Sequence, residues 1–146
     1  MTTIAASFSD RLLVTDSSIS DGDAVWSAAK AEVYNGRIYA TAGEASDTEL
    51  FMSWIKRGRR GRRPKVDTEF QALALTPEGL FFFDANLYPT RLTTPMAIGS
   101  GAKAARGAMA MGATLEQAVE IACDIDLNSR RPLQLYRLNA EENKSA

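Results

Sequence analysis

Hydrophobic positions along the chain fall into two regimes. In the first half they come as short runs broken by polar turns. Ile4 to Phe8 and Leu12 to Thr15 flank Ser9-Asp10-Arg11, the pattern of a hairpin. Residues 17–23 (SSISDGD) read as a polar loop. Glu32 to Tyr34 and Arg37 to Thr41 flank Asn35-Gly36, the strongest short-range hairpin signal. Gly43 ends that strand, and Ser46 or Asp47 can cap a helix with Leu50, Phe51, Trp54 and Ile55 on one face. The helix stops near Gly58. Phe70 to Leu75 and Gly79 to Phe83 predict a further hairpin, in which Leu80-Phe81-Phe82-Phe83 is continuous enough for a strand covered on both faces.

The last third is patterned at helical period. Met96 to Ile98 leads through Gly99-Ser100-Gly101 into an Ala- and Met-rich segment that closes at Gly112. Thr114 with Gln117 three residues on is a capping-box signal. The helix it opens runs to about Asp126 and turns Leu115, Ala118, Val119 and Ala122 inward. Pro132 to Leu138 predicts a final strand, and residues 139–146 a polar, frayed tail. With no internal repeat and no linker, residues 1–146 read as a single domain of layered sheets covered by helices.

Composition narrows the chemistry. The 146 residues include one Cys (Cys123) and no His. A lone Cys excludes an internal disulfide and a cysteine-cluster zinc site within the chain. Without His, Ser-His-Asp, Cys-His and imidazole-zinc chemistries are excluded as well. The net charge of −1 conceals an asymmetry. Residues 56–65, KRGRRGRRPK, hold seven of the seventeen basic residues and no acid, leaving ten basic against eighteen acidic residues, a balance of −8, elsewhere. No apolar stretch approaches the ~20 residues of a membrane span. The first residues lack the basic start and apolar core of a signal peptide. A soluble, cytoplasmic protein without membrane contact is the expectation.

Several segments then occur in a telling order: Met1-Thr2-Thr3-Ile4, VTDSS ending the second strand, AAKAEVYNGRIY, ATAGEASD, AIGSGAKAARGAMAMGATLEQAVEIA and DLNS. In this order they resemble the proteasome β-subunit family, including the bacterial HslV protease, over most of residues 2–57 and 94–138. The resemblance implies an α+β N-terminal-nucleophile hydrolase fold, a four-layer α/β/β/α sandwich. It further implies a threonine endopeptidase acting on unfolded proteins or peptides, with no cofactor and no metal ion. Removal of Met1 would make Thr2 the nucleophile and its α-amine the base. An unperturbed α-amine titrates at about 7.7–8.0, suited to a base near neutrality. Lys30 matches the family's buried lysine and Asp16 the carboxylate that orients it. Gly43 matches the glycine whose N–H stabilises the oxyanion. Ser100, Asp126 and Ser129 match the polar residues around the terminal amine, and Thr41 falls where the first specificity pocket is lined.

The chain departs from the family in three places, the first being a compact loop after the second strand, where Lys30 matches only across a small gap. The family follows its first helix with a second long one, where this chain has KRGRRGRRPKVD, so one outer helix is expected to be missing. After Ser129, the archaeal and eukaryotic relatives continue with two glycines, where this chain has Arg130 and Arg131. The basic run reads as a solvated loop, as a surface docking onto an acidic patch, or, least favoured, as a phosphate-binding segment for nucleic acid. By resemblance the partners are further copies in a ring or double ring and a ring ATPase unfoldase. The rival reading is a catalytically inactive assembly or binding protein that uses the Arg-rich loop 56–65.

Overall fold

The computed structural model describes residues 2–21, 24–27 and 30–138. The tail expected at 139–146 lies outside the described residues. The first sheet has the order β10-β1-β2-β11, built from β1 (Ile4–Ser7), β2 (Leu12–Thr15), β10 (Met96–Ile98) and β11 (Gln134–Arg137). The second has the order β5-β6-β7-β8-β9, built from β5 (Ala31–Tyr34), β6 (Arg37–Ala42), β7 (Gln71–Thr76), β8 (Gly79–Phe83) and β9 (Thr90–Leu92). Every pairing in both sheets is antiparallel.

The two sheets face each other, β1 lying over β6 and β7. Alternation along each strand decides what lies between them. Ile4 and Ala6 of β1, Leu13 of β2, Ile38, Ala40 and Ala42 of β6, and Leu73 and Leu75 of β7 fill the space between the sheets. The intervening residues face outward onto helices. Helix α1 (Ala45–Lys56) covers the second sheet, seating Phe51 among Tyr39, Phe70 and Phe83 with ring centroids 5.1–6.5 Å apart. Helices α2 (Ala102–Ala110) and α3 (Leu115–Ile125) cover the first, with Ala105, Ala118, Val119 and Ala122 on Ala5, Val14 and Ala97. Small side chains at these positions allow close approach of helix and sheet. The result is a four-layer α/β/β/α sandwich with, among the described residues, one helix on one side and two on the other. The expected missing helix is indeed absent, and residues 57–70 return to the sheet without one.

Local signals account for most turns. Asn35 and Gly36 both take positive φ (52° and 72°), as a two-residue hairpin turn requires. The capping box of α3 is complete, Thr114 accepting from the Gln117 N–H and Gln117 from the Thr114 N–H. Phe81 and Phe82 point to opposite faces of β8, one to each apolar layer, as the continuous run predicted.

Three expectations need correction. The polar segment 17–23 is not a plain loop: β3 (Ser18–Asp21) pairs with β4 (Ala24–Ser27) as a two-stranded antiparallel unit. Residues 22–23 lie outside the described residues. Helix α1 starts two or three residues earlier than Ser46 or Asp47 would place it, with Glu44 at its N-cap and no side-chain cap. Asp47 is instead buried in the first turn, its carboxylate accepting the Asp67 N–H. Leu50 is exposed, and Met52 takes the inward position. A period-3.6 stripe is wide enough to accommodate that shift of about one residue.

Candidate active site

The start of β1 lies beside the end of β2, because Ile4 pairs with Thr15. Thr2 and Asp16 therefore meet where the first sheet ends. Asp16 is fully buried, and donors from Thr2, Thr3, Lys30 and Arg130 converge on its carboxylate. Oδ1 accepts from Thr2 Oγ1 at 2.8 Å, the Thr3 N–H at 3.0 Å and Lys30 Nζ at 2.8 Å. Oδ2 accepts the Arg130 N–H at 3.0 Å. The ion pair is almost wholly withdrawn from water, the Lys30 side chain being 7% exposed and that of Asp16 0%. Burial pulls the Lys30 ammonium below the ordinary lysine range, partly offset by the hydrogen bond and charge of Asp16.

A second cluster approaches Thr2 from the other side. Ser100 Oγ accepts the Thr2 N–H at 3.1 Å and donates to Asp126 Oδ2 at 2.6 Å. Ser129 Oγ donates to the same Asp126 oxygen at 2.6 Å. Its single proton being engaged there, Ser129 accepts from Thr3 Oγ1, also at 2.6 Å. Burial raises the Asp126 carboxyl, but the hydroxyls of Ser100 and Ser129 outweigh it and hold the group below its ordinary range. Thr2, Thr3, Asp16 and Ser129 are buried, whereas Ser100 stands at the surface. The cluster thus opens to solvent on the side of the Thr2 nitrogen.

Two glycines permit this approach. A Cβ on Gly99, whose φ is +97°, would lie 2.2 Å from the Thr2 carbonyl oxygen. A Cβ on Gly101 would lie 1.9 Å from Thr3 Oγ1. The Gly101 N–H also donates to the Thr2 carbonyl at 3.2 Å. Gly-Ser-Gly is therefore a steric requirement, with the serine presented to Thr2 by backbone that no side chain could replace.

Of the residues singled out in the sequence, Thr2, Asp16, Lys30, Ser100, Asp126 and Ser129 form one continuous hydrogen-bonded network. Thr41 and Gly43 stand at the end of β6, and among the described residues neither hydrogen-bonds into it. Thr41 Oγ1 shares a 2.8 Å hydrogen bond with Thr48 Oγ1 of α1. Gly43 lies under the Phe70 ring, where a Cβ would come within 3.1 Å of Cδ1. Gln71 connects the two regions: it pairs with Ala42 in the second sheet, and its Oε1 accepts the Gly99 N–H at 3.3 Å. Sequence reading missed Gln71, Thr3 and Gly99, because each acts through a contact between segments far apart in the chain.

The arginines after Ser129 leave the network intact. Arg130 contributes only its main-chain N–H to Asp16, and its side chain is exposed. Arg131 turns away to pair with Glu120 and Asp124 of α3. Among the described residues, no group of three or more His, Cys, Asp or Glu side chains is placed to hold a metal ion. Nor is any helix long and apolar enough to cross a membrane.

No family model matches the chain, and no curated protein matches it by sequence. Solved structures do match. Eukaryotic HslV from Trypanosoma brucei superposes with a TM-score of 0.74 at 20% identity, covering 92% of this chain and 98% of that one. Thiobacillus denitrificans BPH gives a TM-score of 0.68 at 17% identity, covering 95% and 98%. Its complex with epoxomicin gives 0.67 at 18%, covering 94% and 98%. Nearly the whole length of each chain is covered in these superpositions. The chain therefore has the proteasome β-like fold of HslV and BPH.

Proposed function

We propose that the chain is a threonine peptidase of the N-terminal-nucleophile type. The observation that carries this reading is the convergence of Thr2 Oγ1 and Lys30 Nζ on one buried oxygen of Asp16, with Ser100 Oγ at the Thr2 nitrogen. Removal of Met1 converts that nitrogen from an amide to a free α-amine. Threonine activated by its own amine is a recognised nucleophile. The epoxomicin complex of a protein with the same fold adds support.

The chemistry then runs as acyl transfer. The Thr2 amine takes the proton of Oγ1 as Oγ1 bonds to the substrate carbonyl carbon. Lys30 favours this step electrostatically, placing positive charge near the developing alkoxide, while Asp16 fixes the lysine. The Gly43 N–H is assigned to the tetrahedral oxyanion, a role whose loss typically raises the barrier by about 2.7–4 kcal/mol. Collapse breaks the C–N bond, and the ammonium of Thr2 protonates the leaving amine. Water, deprotonated by the regenerated amine, attacks the ester carbon and frees the acid and Oγ1. Ser100 holds the amine throughout, and Asp126 orients Ser100. Unfolded proteins or peptides are the proposed substrates, and further copies of the chain, with a ring ATPase, the proposed partners. Thr41 is assigned to the substrate pocket.

The test is kinetic. Wild-type protein should hydrolyse a panel of fluorogenic peptides and an unfolded casein, and Thr2→Ala should reduce the rate to background. A Thr2→Ala protein as fast as wild type would sink the mechanism. Absence of hydrolysis in both, with Met1 retained, would favour the inactive binding protein.

A further inference from the structure

The basic segment takes no part in the chemistry above, and it is more ordered than a charge run requires. Helix α1 ends in a Schellman motif, with the Gly58 N–H on the Ile55 carbonyl and the Arg59 N–H on that of Trp54. Gly58, Arg59 and Gly61 all take positive φ, curling the chain back over the end of the helix. Farther on, the Asp67 N–H is held by the buried Asp47 carboxylate. Between these anchors Arg63 pins the loop: its guanidinium stacks 3.7 Å above the Tyr88 ring and donates to the Asn86 carbonyl at 3.2 Å.

Arg63 and Lys56 have partners, Lys56 pairing with Glu32. Arg57, Arg59, Arg60, Arg62 and Lys65 are exposed and meet no acidic side chain among the described residues. Beside them lies an open cleft of about 620 Å³, bounded by Gly61, Arg62, Pro64, Lys65, Thr68 and Asn86. Its surface is thus cationic, concave and already held in shape, which lowers the ordering entropy that a ligand must overcome.

We infer that the loop 57–65, with Asn86 and Tyr88, is a docking site for a short acidic segment of a partner protein. Arginine forks match carboxylates in pairs. The surroundings select against a long polyphosphate. Outside the loop the chain carries a balance of −8, and Asp67, Glu69 and Asp84 are next in sequence to the lining residues Val66, Thr68 and Ala85. A nucleic acid running past the loop meets those carboxylates, whereas a short acidic peptide remains within it. Tyr88, the exposed aromatic ring beside this loop, is already covered by Arg63 and is not a free stacking platform for a base.

The probe is a fluorescein-labelled peptide of alternating Glu and Ser, titrated by anisotropy at about 50 mM salt. Wild type should bind it, and Arg57→Gln/Arg60→Gln/Arg62→Gln/Lys65→Gln should weaken binding about tenfold. A control with the same loss of charge, Arg11→Gln/Lys103→Gln/Arg106→Gln/Arg137→Gln, should bind as wild type. Binding by wild type should also fall steeply as salt rises. No binding, salt-independent binding, or equal loss in the control each overturns the proposal. Tighter binding of a single-stranded DNA of equal length overturns the choice of ligand. The titration reads no hydrolysis, so its outcome is separate from that of the peptidase reading.

Discussion

Asp16→Asn is the most informative single change, because it keeps shape and removes charge. The carboxylate accepts from Thr2, Thr3 and Lys30 on Oδ1 and from the Arg130 N–H on Oδ2. Asparagine can keep its oxygen toward Thr2, Thr3 and Lys30 only by turning its NH₂ toward the Arg130 N–H, donor against donor. The opposite rotamer sets the NH₂ against three donors. Either way Lys30, 7% exposed, loses the charge of Asp16 beside it. Breaking a buried pair by removing one partner costs about 3–5 kcal/mol, and a buried N–H left unpaired about 1–3 kcal/mol. These overlap rather than add, so we expect a loss of about 4 kcal/mol. At about 2–4 °C per kcal/mol, that lowers Tm by about 10 °C.

The effect has a pH signature. Burial already lowers the Lys30 pKa, and without Asp16 it falls further, so the folded state binds fewer protons than the unfolded one. Stability of Asp16→Asn should therefore rise as pH increases through the folded Lys30 value toward the ordinary lysine value. Urea midpoints between neutral and alkaline pH measure this. Adding Lys30→Met should restore much of the lost stability at neutral pH without restoring catalysis. A loss under about 1 kcal/mol, or no rescue by the second change, refutes the buried-pair account.

Gly101→Ala should destabilise by more than the few tenths of a kcal/mol of an ordinary surface change, since its Cβ would fall 1.9 Å from Thr3 Oγ1; chemical denaturation and hydrolysis rate should both register it. The Asp126 carboxyl is held low in the folded state, so its stabilising contribution is present above its unfolded pKa and fades as pH falls through the folded value; Ser100→Ala should flatten that acid limb in urea titrations. Burial pushes the Cys123 thiol up to about 11, so alkylation by iodoacetamide near pH 8 should be far slower than for an exposed cysteine, and unfolding in urea should remove the difference.

What could be read from the sequence divides along physical lines. Hairpins with a local chemical cause, such as Asn35-Gly36, and the α3 capping box were legible because the residues that set them are neighbours. The layers were legible because the continuous apolar run of β8 marks a strand covered on both faces and the helical period in α3 marks which face is buried. The unit formed by β3 and β4 was not: Ile19 is the single apolar residue of SSISDGD, too little hydrophobic pattern to mark a strand. The Asp16 carboxylate could be singled out through the order of motifs, but not its donors. The Arg130 main-chain N–H is invisible to any reading of side chains, and Arg130 looked disruptive for that reason. Gln71 stayed unmarked because a lone Gln at the start of a strand is ordinary until the second sheet is placed over the first.

The central claim is that Thr2, freed of Met1, is the nucleophile. Intact-mass measurement of the purified protein before and after incubation with epoxomicin, followed by peptide mapping, tests it most directly. The predicted result is a mature mass lacking Met1 and a single adduct on Thr2, abolished in Thr2→Ala. A chain that retains Met1 and takes up no adduct, or one modified elsewhere, contradicts it.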